Sequence, residues 1–364
     1  MNLIEACSTG NLEEVKKLVK QGADIHVWSD YALRHAAENG HIEVIKYLAE
    51  KGANIHAEND YALKHAAENG HLEVVKYLIE NGADIHADND YALRSAVENK
   101  HIEVVKYLVE SGANIHAKGD MPLKSAVKNR CLDIVKYLIE KGADIHVNDD
   151  MPLRYAAKNK YWDVVRYLVE NGANIHTWDD YALCCAAESG HTETVKYLVE
   201  KGANIHADDD YALRHAAKKG HLDVVRYLVE KGANTHTWND YALRYAAENG
   251  HLGVVKYLVE AGANIHVFGE EILKQATLNG QVEVVEYLIE NGADVKKADF
   301  GKLVSKRKYK KVLYLLLDAL SKEELMPLLL SSNNRLRKAV KTYLERRNTD
   351  GPYNSLYYRQ SKRS

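Results

Sequence analysis

The chain has 364 residues, of which 46% are hydrophobic, and this is enough for one to three domains with buried cores. Its net charge of −3 favours neither a nucleic acid nor a membrane surface as a partner. The charge is unevenly distributed, because residues 301–364 carry 16 Lys and Arg against 5 Asp and Glu. This segment therefore has a charge of +11, and the 300 residues before it carry −14.

No stretch approaches the 18 or so consecutive apolar residues of a membrane helix, and the N-terminus lacks the basic start and apolar run of a signal peptide. Cys7, Cys131, Cys184 and Cys185 are too few and too irregularly spaced for a disulfide framework or a zinc site. We therefore expect an intracellular protein of the cytoplasm or nucleus, without a metal or another cofactor.

An internal repeat dominates residues 1–300, which superimpose on themselves ten times in blocks of thirty residues. Leu recurs from Leu3 to Leu273, and a Gly-Ala pair recurs from Gly22-Ala23 to Gly292-Ala293. Each block predicts two short helices. In one block the first helix begins near Asp60, a good N-cap residue, and ends at Gly70, and the second runs from about His71 to Gly82. Neither helix is long enough to be stable alone, so the blocks are predicted to stack.

The period fails after residue 300. We expect residues 301–347 to form a degenerate repeat and a basic helical cap, with helices at about 322–331 and 334–346. Residues 348–364 are polar, contain Gly351-Pro352, and are expected to form a disordered tail.

The run Leu-Lys-His-Ala-Ala-Glu-Asn-Gly-His-Leu-Glu-Val-Val at 63–75, followed by Gly82-Ala83-Asp84, resembles the ankyrin repeat. The thirty-residue length and the Tyr-Ala-Leu opening are similar to the ankyrin-repeat family of giant viruses of the mimivirus type. The resemblance implies an all-α ankyrin solenoid with short connectors in place of β-hairpin fingers. It also implies a non-catalytic, monomeric scaffold that binds a partner protein on its concave face, and a viral origin would make that partner a host protein.

The 18 histidines recur once per structural unit, so they are predicted to be structural and not to converge on a metal ion. The Tyr47 to Tyr287 column favours packing in the core over a stacking ladder for bases. The pair Cys184-Cys185 is better explained by sequence drift than as a redox pair. Because no phosphate loop, nucleophile elbow or metalloprotease motif occurs, the sequence does not support an enzyme.

One connector position varies between repeats that are otherwise closely similar. In four repeats it carries Trp28, Trp178, Trp238 or Phe268. We expect these residues to contact a partner, the alternative being that each ring folds back over its own connector. A basic stripe of Lys100, Lys128, Arg130, Lys158 and Lys160 suits an acidic protein segment, although a merely solvated edge is the simpler explanation.

Lys306, Arg307, Lys308, Lys310 and Lys311 resemble a nuclear-localisation run, but they also suit the outer face of a capping helix. The alternative function is therefore nucleic-acid binding or nuclear targeting through the basic segment 302–347.

Overall fold

The computed structural model describes residues 2–305 and 309–350. These residues form α-helices and one 3₁₀-helix at Val295–Lys297, with no strand among them, which confirms the all-α prediction. The helices are α1 Leu3–Ser8, α2 Leu12–Lys20, α3 Val27–Glu38, α4 Ile42–Glu50, α5 Ala57–Glu68, α6 Leu72–Glu80, α7 Ala87–Glu98, α8 Ile102–Glu110, α9 Ala117–Lys128, α10 Leu132–Glu140, α11 Val147–Lys158, α12 Trp162–Glu170, α13 Thr177–Ser189, α14 Thr192–Glu200, α15 Ala207–Lys219, α16 Leu222–Glu230, α17 Thr237–Asn249, α18 Leu252–Glu260, α19 Glu271–Asn279, α20 Val282–Glu290, α21 Phe300–Leu303, α22 Lys310–Asp318, α23 Lys322–Leu329 and α24 Asn334–Asp350.

The chain divides into two compact units, Met1–Thr177 and Trp178–Ser364. Within the first unit the first helices of successive repeats pack side by side, α3 on α5, α5 on α7 and α7 on α9. In the second unit α15 packs on α17 and α17 on α19 in the same way. The second helices of each repeat pack on one another as well, so every repeat buries its apolar sides against its neighbours.

The core of each unit consists of the residues that recur. In α5 and α6, Leu63, Ala66, Val75 and Leu78 are fully buried, whereas Leu72 is half-buried. Each buried Val or Leu contributes about 1.5–3 kcal/mol. The apolar sides of the two helices thus form the core of the repeat.

In five repeats a histidine at the start of the second helix ties its repeat to the preceding one. The Nε2 atom of His101 donates to the carbonyl oxygen of Glu68 at 3.0 Å, and its imidazole lies against Gly70. A Cβ atom added to Gly70, whose φ is +78°, would lie 2.5 Å from Nδ1 of His101. The same arrangement recurs at Gly40 with His71, Gly190 with His221 and Gly220 with His251.

The connector before each first helix is a left-handed turn of three residues. Glu58, Asn59 and Asp60 all have φ between +54° and +55°, and regular right-handed helix begins at Tyr61. Left-handed backbone costs roughly 1–2 kcal/mol per residue unless Gly, Asn or Asp occupies it. The second and third positions are in fact mostly Asn, Asp or Gly. The compact turn takes the place of a β-hairpin, as the short connector predicts.

The aspartate that ends the turn does not cap its helix, so the prediction that Asp60 is an N-cap was wrong. No hydrogen bond among the described residues joins the Asp60 side chain to a backbone N–H of its own helix, and its Oδ1 atom instead accepts from Nδ1 of His56 at 2.9 Å. In other repeats the same atom also accepts a backbone N–H of the next connector, 24 residues later, at 2.8–3.2 Å. These pairs are Asp30 with Asn54, Asp90 with Asn114, Asp120 with Asp144, Asp150 with Asn174, Asp180 with Asn204, Asp210 with Asn234 and Asp240 with Asn264.

The helices predicted near residues 322–331 and 334–346 are present as α23 and α24. The helix α22 packs on α20, and α24 packs on α22 and α23. The backbone of α24 continues to Asp350, three residues into the segment expected to be a disordered tail. Residues 351–364 of that segment lie outside the described residues. None of the helices in the described part of the chain is long and apolar enough to cross a membrane.

We predict that Gly70→Ala destabilises the protein more than Gly280→Ala. Both glycines have φ of +78°, but a Cβ at Gly280 would meet only the ring of Tyr309 at 3.5 Å, an ordinary contact. Gly70→Ala must also displace His101 and break its bond to Glu68, adding about 1–2 kcal/mol of destabilisation. Urea unfolding monitored by circular dichroism measures the difference. Adding His101→Ala should remove most of the excess, and equal losses for the two alanine variants would contradict the account.

Candidate partner-binding surface

The variable connector position is the first residue of each left-handed turn, with φ between +44° and +54°. The side chain there points away from the core, and the exposed fractions are 70% for Trp28, 62% for Trp178, 54% for Trp238 and 63% for Phe268. A Trp or Phe residue has no intrinsic preference for left-handed backbone. These four positions therefore combine an unfavourable conformation with exposed apolar area, and neither contributes to folding.

The exposed indole rings contact tyrosine side chains of their own repeats. Trp28 meets Tyr31 edge-on with 5.8 Å between ring centroids, and Trp238 meets Tyr241 at 6.0 Å. Trp238 is held further, because its Nε1 donates to Asp209 at 3.1 Å and the Arg214 guanidinium lies 4.1 Å from its ring centroid. The indoles are therefore oriented by neighbours of the same chain while more than half of each remains exposed, and contact of these rings with a partner stays a prediction.

The first helices carry a second row of aromatic side chains, which was not predicted from the sequence. Half-buried tyrosines occupy the first helical position after the turn, and further rings follow four residues later. In the second unit Tyr211 stacks on His215 at 3.8 Å with an interplanar angle of 6°, and Tyr241 stacks on Tyr245 at 4.0 Å. The recurrence of Tyr in the Tyr-Ala-Leu motif was the available signal. We call the exposed turn residues and these rings the aromatic surface of the unit to which they belong. Its members are Trp28, Tyr31, His35, Tyr61, His65 and Tyr91 in the first unit, and Trp178, Tyr181, Tyr211, His215, Trp238, Tyr241, Tyr245 and Phe268 in the second.

The sequence reasoning also missed the residues that hold the turns in place. The arginine three residues into the first helix folds back and donates Nε and Nη2 to the carbonyls of the second and first turn residues at 2.6–3.0 Å. Charged donors make stronger hydrogen bonds than neutral ones, so these bonds to the carbonyls stabilise the left-handed turn. This arrangement is found for Arg34, Arg94, Arg154 and Arg214.

The five residues of the predicted basic stripe are all exposed in the first unit. Lys100, Arg130 and Lys160 adopt φ of +66°, +51° and +63° at the position that glycine holds in other repeats. Where Lys100 and Arg130 replace that glycine, the second helix of the next repeat follows Cys131 or Tyr161 instead of histidine. Arg130 lies 3.4 Å from Asp163 and over the Tyr161 ring, whereas no ion pair within the described residues involves Lys100, Lys128, Lys158 or Lys160.

The basic stripe and the variable turn positions do not come together. The turn precedes each first helix and the stripe residues follow it, so the two sets lie at opposite ends of a helix of about nine residues, roughly 13 Å apart along its axis. The half-buried first-helix residues lie between them. Lys310 and Lys311 are exposed at the start of α22, whereas Lys306, Arg307 and Lys308 lie outside the described residues.

Most histidines make hydrogen bonds that hold the repeats together. Connector histidines bind the turn aspartates, and second-helix histidines bind a carbonyl of the preceding repeat. No group of three His, Cys, Asp or Glu side chains in the described part of the chain could hold a metal ion. The second-helix tyrosines are half-buried, and burial raises the pKa of several of them, including Tyr77 and Tyr137. Cys184 and Cys185 are free thiols, and burial raises the pKa of Cys184 to about 12.

Because the pKa of His215 is lowered in the folded protein, the stability of the protein depends on pH. Burial holds the pKa of its imidazole below the ordinary value, Arg214, Lys218 and Lys219 act in the same direction, and Glu188 opposes them. The unfolded chain therefore binds this proton more readily, so stability from neutral His215 is lost as the pH falls below the unfolded pKa of about 6.5 and through the folded one. We predict that His215→Tyr loses less stability than the wild type between about pH 7.5 and pH 5.5 in urea unfolding. Identical losses would contradict this assignment.

Comparison with known proteins agrees with this geometry. A family model described as ankyrin repeats (3 copies) matches residues 3–89, 86–149, 153–239 and 234–299. No curated protein matches the chain. With most of its length matched by that model, and with stacked helix pairs in both units, the chain belongs to the ankyrin-repeat family.

Proposed function

We propose that this protein is a non-catalytic scaffold that binds a partner protein through the aromatic surface. Ankyrin repeats are generally protein–protein interaction modules. The observation that carries the proposal is the set of four large aromatic side chains that are 54–70% exposed on turns with left-handed backbone. Exposed Trp residues are typical of binding hot spots.

The rigidity of the turns supports the same conclusion. Arg34 and Arg214 bind the turn carbonyls from below, and the buried aspartates bind the next connector. Trp28 lies on a turn that Arg34 holds, and Trp238 is held by Asp209 and Arg214, so these two rings keep one orientation before binding and lose little conformational entropy when a partner covers them. A surface held in this way suits recognition of a folded or extended protein segment.

We propose that the basic stripe is a second contact, for an acidic segment of the same partner. Lys100, Lys128, Lys158 and Lys160 contribute exposed positive charge to an otherwise acidic array. Such charge raises the rate of association with an acidic partner more than it raises the affinity. The stripe and the aromatic surface lie at opposite ends of the first helices, so one partner must cover roughly 13 Å or more to reach both.

The setting we propose is the inside of a cell. Four free cysteines, two of them adjacent in the chain, suit a reducing compartment. The thirty-residue repeat resembles that of giant-virus ankyrin proteins, which favours a host protein as the partner. We propose that the scaffold acts as a monomer, with each repeat stacked only on its own neighbours.

We predict that replacing Trp28, Trp178, Trp238 and Phe268 by Ala abolishes partner binding. Loss of one hot-spot Trp weakens binding by about 2 kcal/mol, or roughly 30-fold in Kd. The measurement is quantitative affinity capture from extract of the candidate host cell, followed by titration of the captured protein. The thermal midpoint should change by no more than about 3 °C, since surface substitutions alter stability little.

The matched control replaces polar residues at the same turn position, Glu58→Ala and Asn148→Ala, and it should leave capture unchanged. Replacing Lys100, Lys128, Lys158 and Lys160 by Ala should slow association and reduce its dependence on salt. Unchanged capture by the aromatic variant, with unchanged stability, would refute the proposal.

A further inference from the structure

A cation occupies the space beneath the turn in most repeats. Arg34 and Arg214 are buried there, and each donates to both turn carbonyls of its own repeat. The residues at this position of the first helix are Arg34, Lys64, Arg94, Lys124, Arg154, Arg214, Arg244 and Lys274. In the repeat that begins with α13 the position is held by Cys184.

Aromatic rings and a carboxylate surround this cation. The Arg34 guanidinium lies 5.2 Å from the ring centroid of Tyr31 and 4.9 Å from that of Tyr61, the corresponding residue of the next repeat. The ammonium group of Lys64 lies 2.5 Å from the carboxylate of Asp88, 24 residues later. The cation therefore meets two turn carbonyls and the tyrosines of two successive repeats at Arg34, and an acidic residue of the next turn at Lys64.

The repeat with Cys184 keeps these surroundings without the cation. Tyr181 and Tyr211 stand where Tyr31 and Tyr61 stand around Arg34, and Asp208 follows Cys184 by 24 residues, as Asp88 follows Lys64. The thiol of Cys184 donates only a long hydrogen bond of 3.8 Å to the carbonyl of Asp179.

A cavity of about 190 Å³ opens at this point. Its volume is several times the roughly 30 Å³ share of one water molecule, so it has room for a guanidinium group. Three acidic residues, Asp179, Glu188 and Asp208, are among its lining residues, and none of the lining residues is Lys or Arg. The lining consists of Trp178, Asp179, Tyr181, Cys184, Cys185, Glu188, Asp208 and Tyr211.

We infer that this cavity is a socket for an arginine side chain presented by the partner protein, which takes the place that the chain's own arginine fills in other repeats. The inference rests on the proposed function, since the socket opens on the aromatic surface beside the exposed Trp178. A guanidinium there would stack on tyrosine, bond to carbonyl oxygen and approach Asp208. Asp208 also lies 3.9 Å from Arg214 of its own repeat and is about half exposed, so its carboxylate would be shared.

Planarity favours arginine over lysine as the occupant. In the equivalent sites the guanidinium uses two different nitrogen atoms to reach two neighbouring carbonyls. The ammonium of Lys64 reaches the carbonyl of Glu58 only at 3.5 Å and bonds chiefly to Asp88. A forked planar donor therefore satisfies more of the socket than a point charge does.

The test is a titration of the full-length protein with N-acetyl-arginine amide, followed through the indole N–H signal of Trp178 in NMR spectra. The uncharged analogue N-acetyl-citrulline amide and N-acetyl-lysine amide serve as comparison probes. We expect the Trp178 signal to shift and saturate with the arginine probe at millimolar concentration. The citrulline probe should bind at least tenfold more weakly, because it lacks the charge.

Two variants make the test specific. Cys184→Arg should fill the socket with the chain's own guanidinium, raise the thermal midpoint and weaken arginine binding at least tenfold. Arg214→Cys should open an equivalent socket in the next repeat, so that the Trp238 indole signal now responds to the arginine probe. Cys185→Ser should leave binding at the first socket unchanged.

The inference is overturned if the arginine probe produces no saturable shift, if citrulline binds equally well, or if Cys184→Arg binds arginine as the wild type does. Stronger binding of the lysine probe would also overturn it in favour of a general cation site. The proposed function fails separately, by unchanged capture in the aromatic variant. A scaffold that loses capture in that variant but binds no arginine would keep the function and exclude the socket.

Discussion

A buried carboxylate bonded to two successive connectors is the constraint on which the other features depend. Asp90 is 4% exposed, and its Oδ1 atom accepts from the imidazole of His86 at 2.9 Å and from the backbone N–H of Asn114 at 2.8 Å. A carboxylate is removed from water only where such charge-assisted bonds replace its hydration. The same atom thus closes the turn of its own repeat and sets the position of the next, which lets three left-handed residues persist where free peptide would avoid them.

The turn determines which side chains the protein exposes at its surface. Since the last residue of the turn is fixed by the aspartate bond, the first residue can vary, and it is Trp, Phe, Lys, Asn, Asp or Glu in different repeats. Variation at this position changes the surface without disturbing the stack. The cavity at Cys184 lies at a position where other repeats have arginine. The turn residues and tyrosines that surround the arginine in those repeats are still present around Cys184. The proposed binding surface and the proposed socket therefore both lie where the repeats differ from one another.

Much of the fold could be predicted from the sequence, since a thirty-residue period with recurring Leu, Ala and Gly residues specifies paired helices. The role of Asp60 could not, because an aspartate before a helix suggests a local cap, whereas its bond to His56 and the left-handed turn appear only in three dimensions. Trp28 and Trp178 were identified by their variability and are exposed as expected. The arginine bonds beneath the turns and the cavity at Cys184 were missed, since the recurrence of Arg or Lys at this position does not show that the side chain folds back to a carbonyl six residues earlier.

Replacement of Asp90 tests the central claim most directly, by amide hydrogen exchange at Asn114 and urea unfolding of Asp90→Ala and Asp90→Asn. We expect Asp90→Ala to lose protection at the Asn114 amide and about 2–3 kcal/mol of stability, because a buried N–H and an imidazole lose a charged partner. Asp90→Asn keeps an acceptor oxygen and should lose less. Unchanged protection and stability in Asp90→Ala would show that apolar stacking alone sets the turns, and would contradict the account.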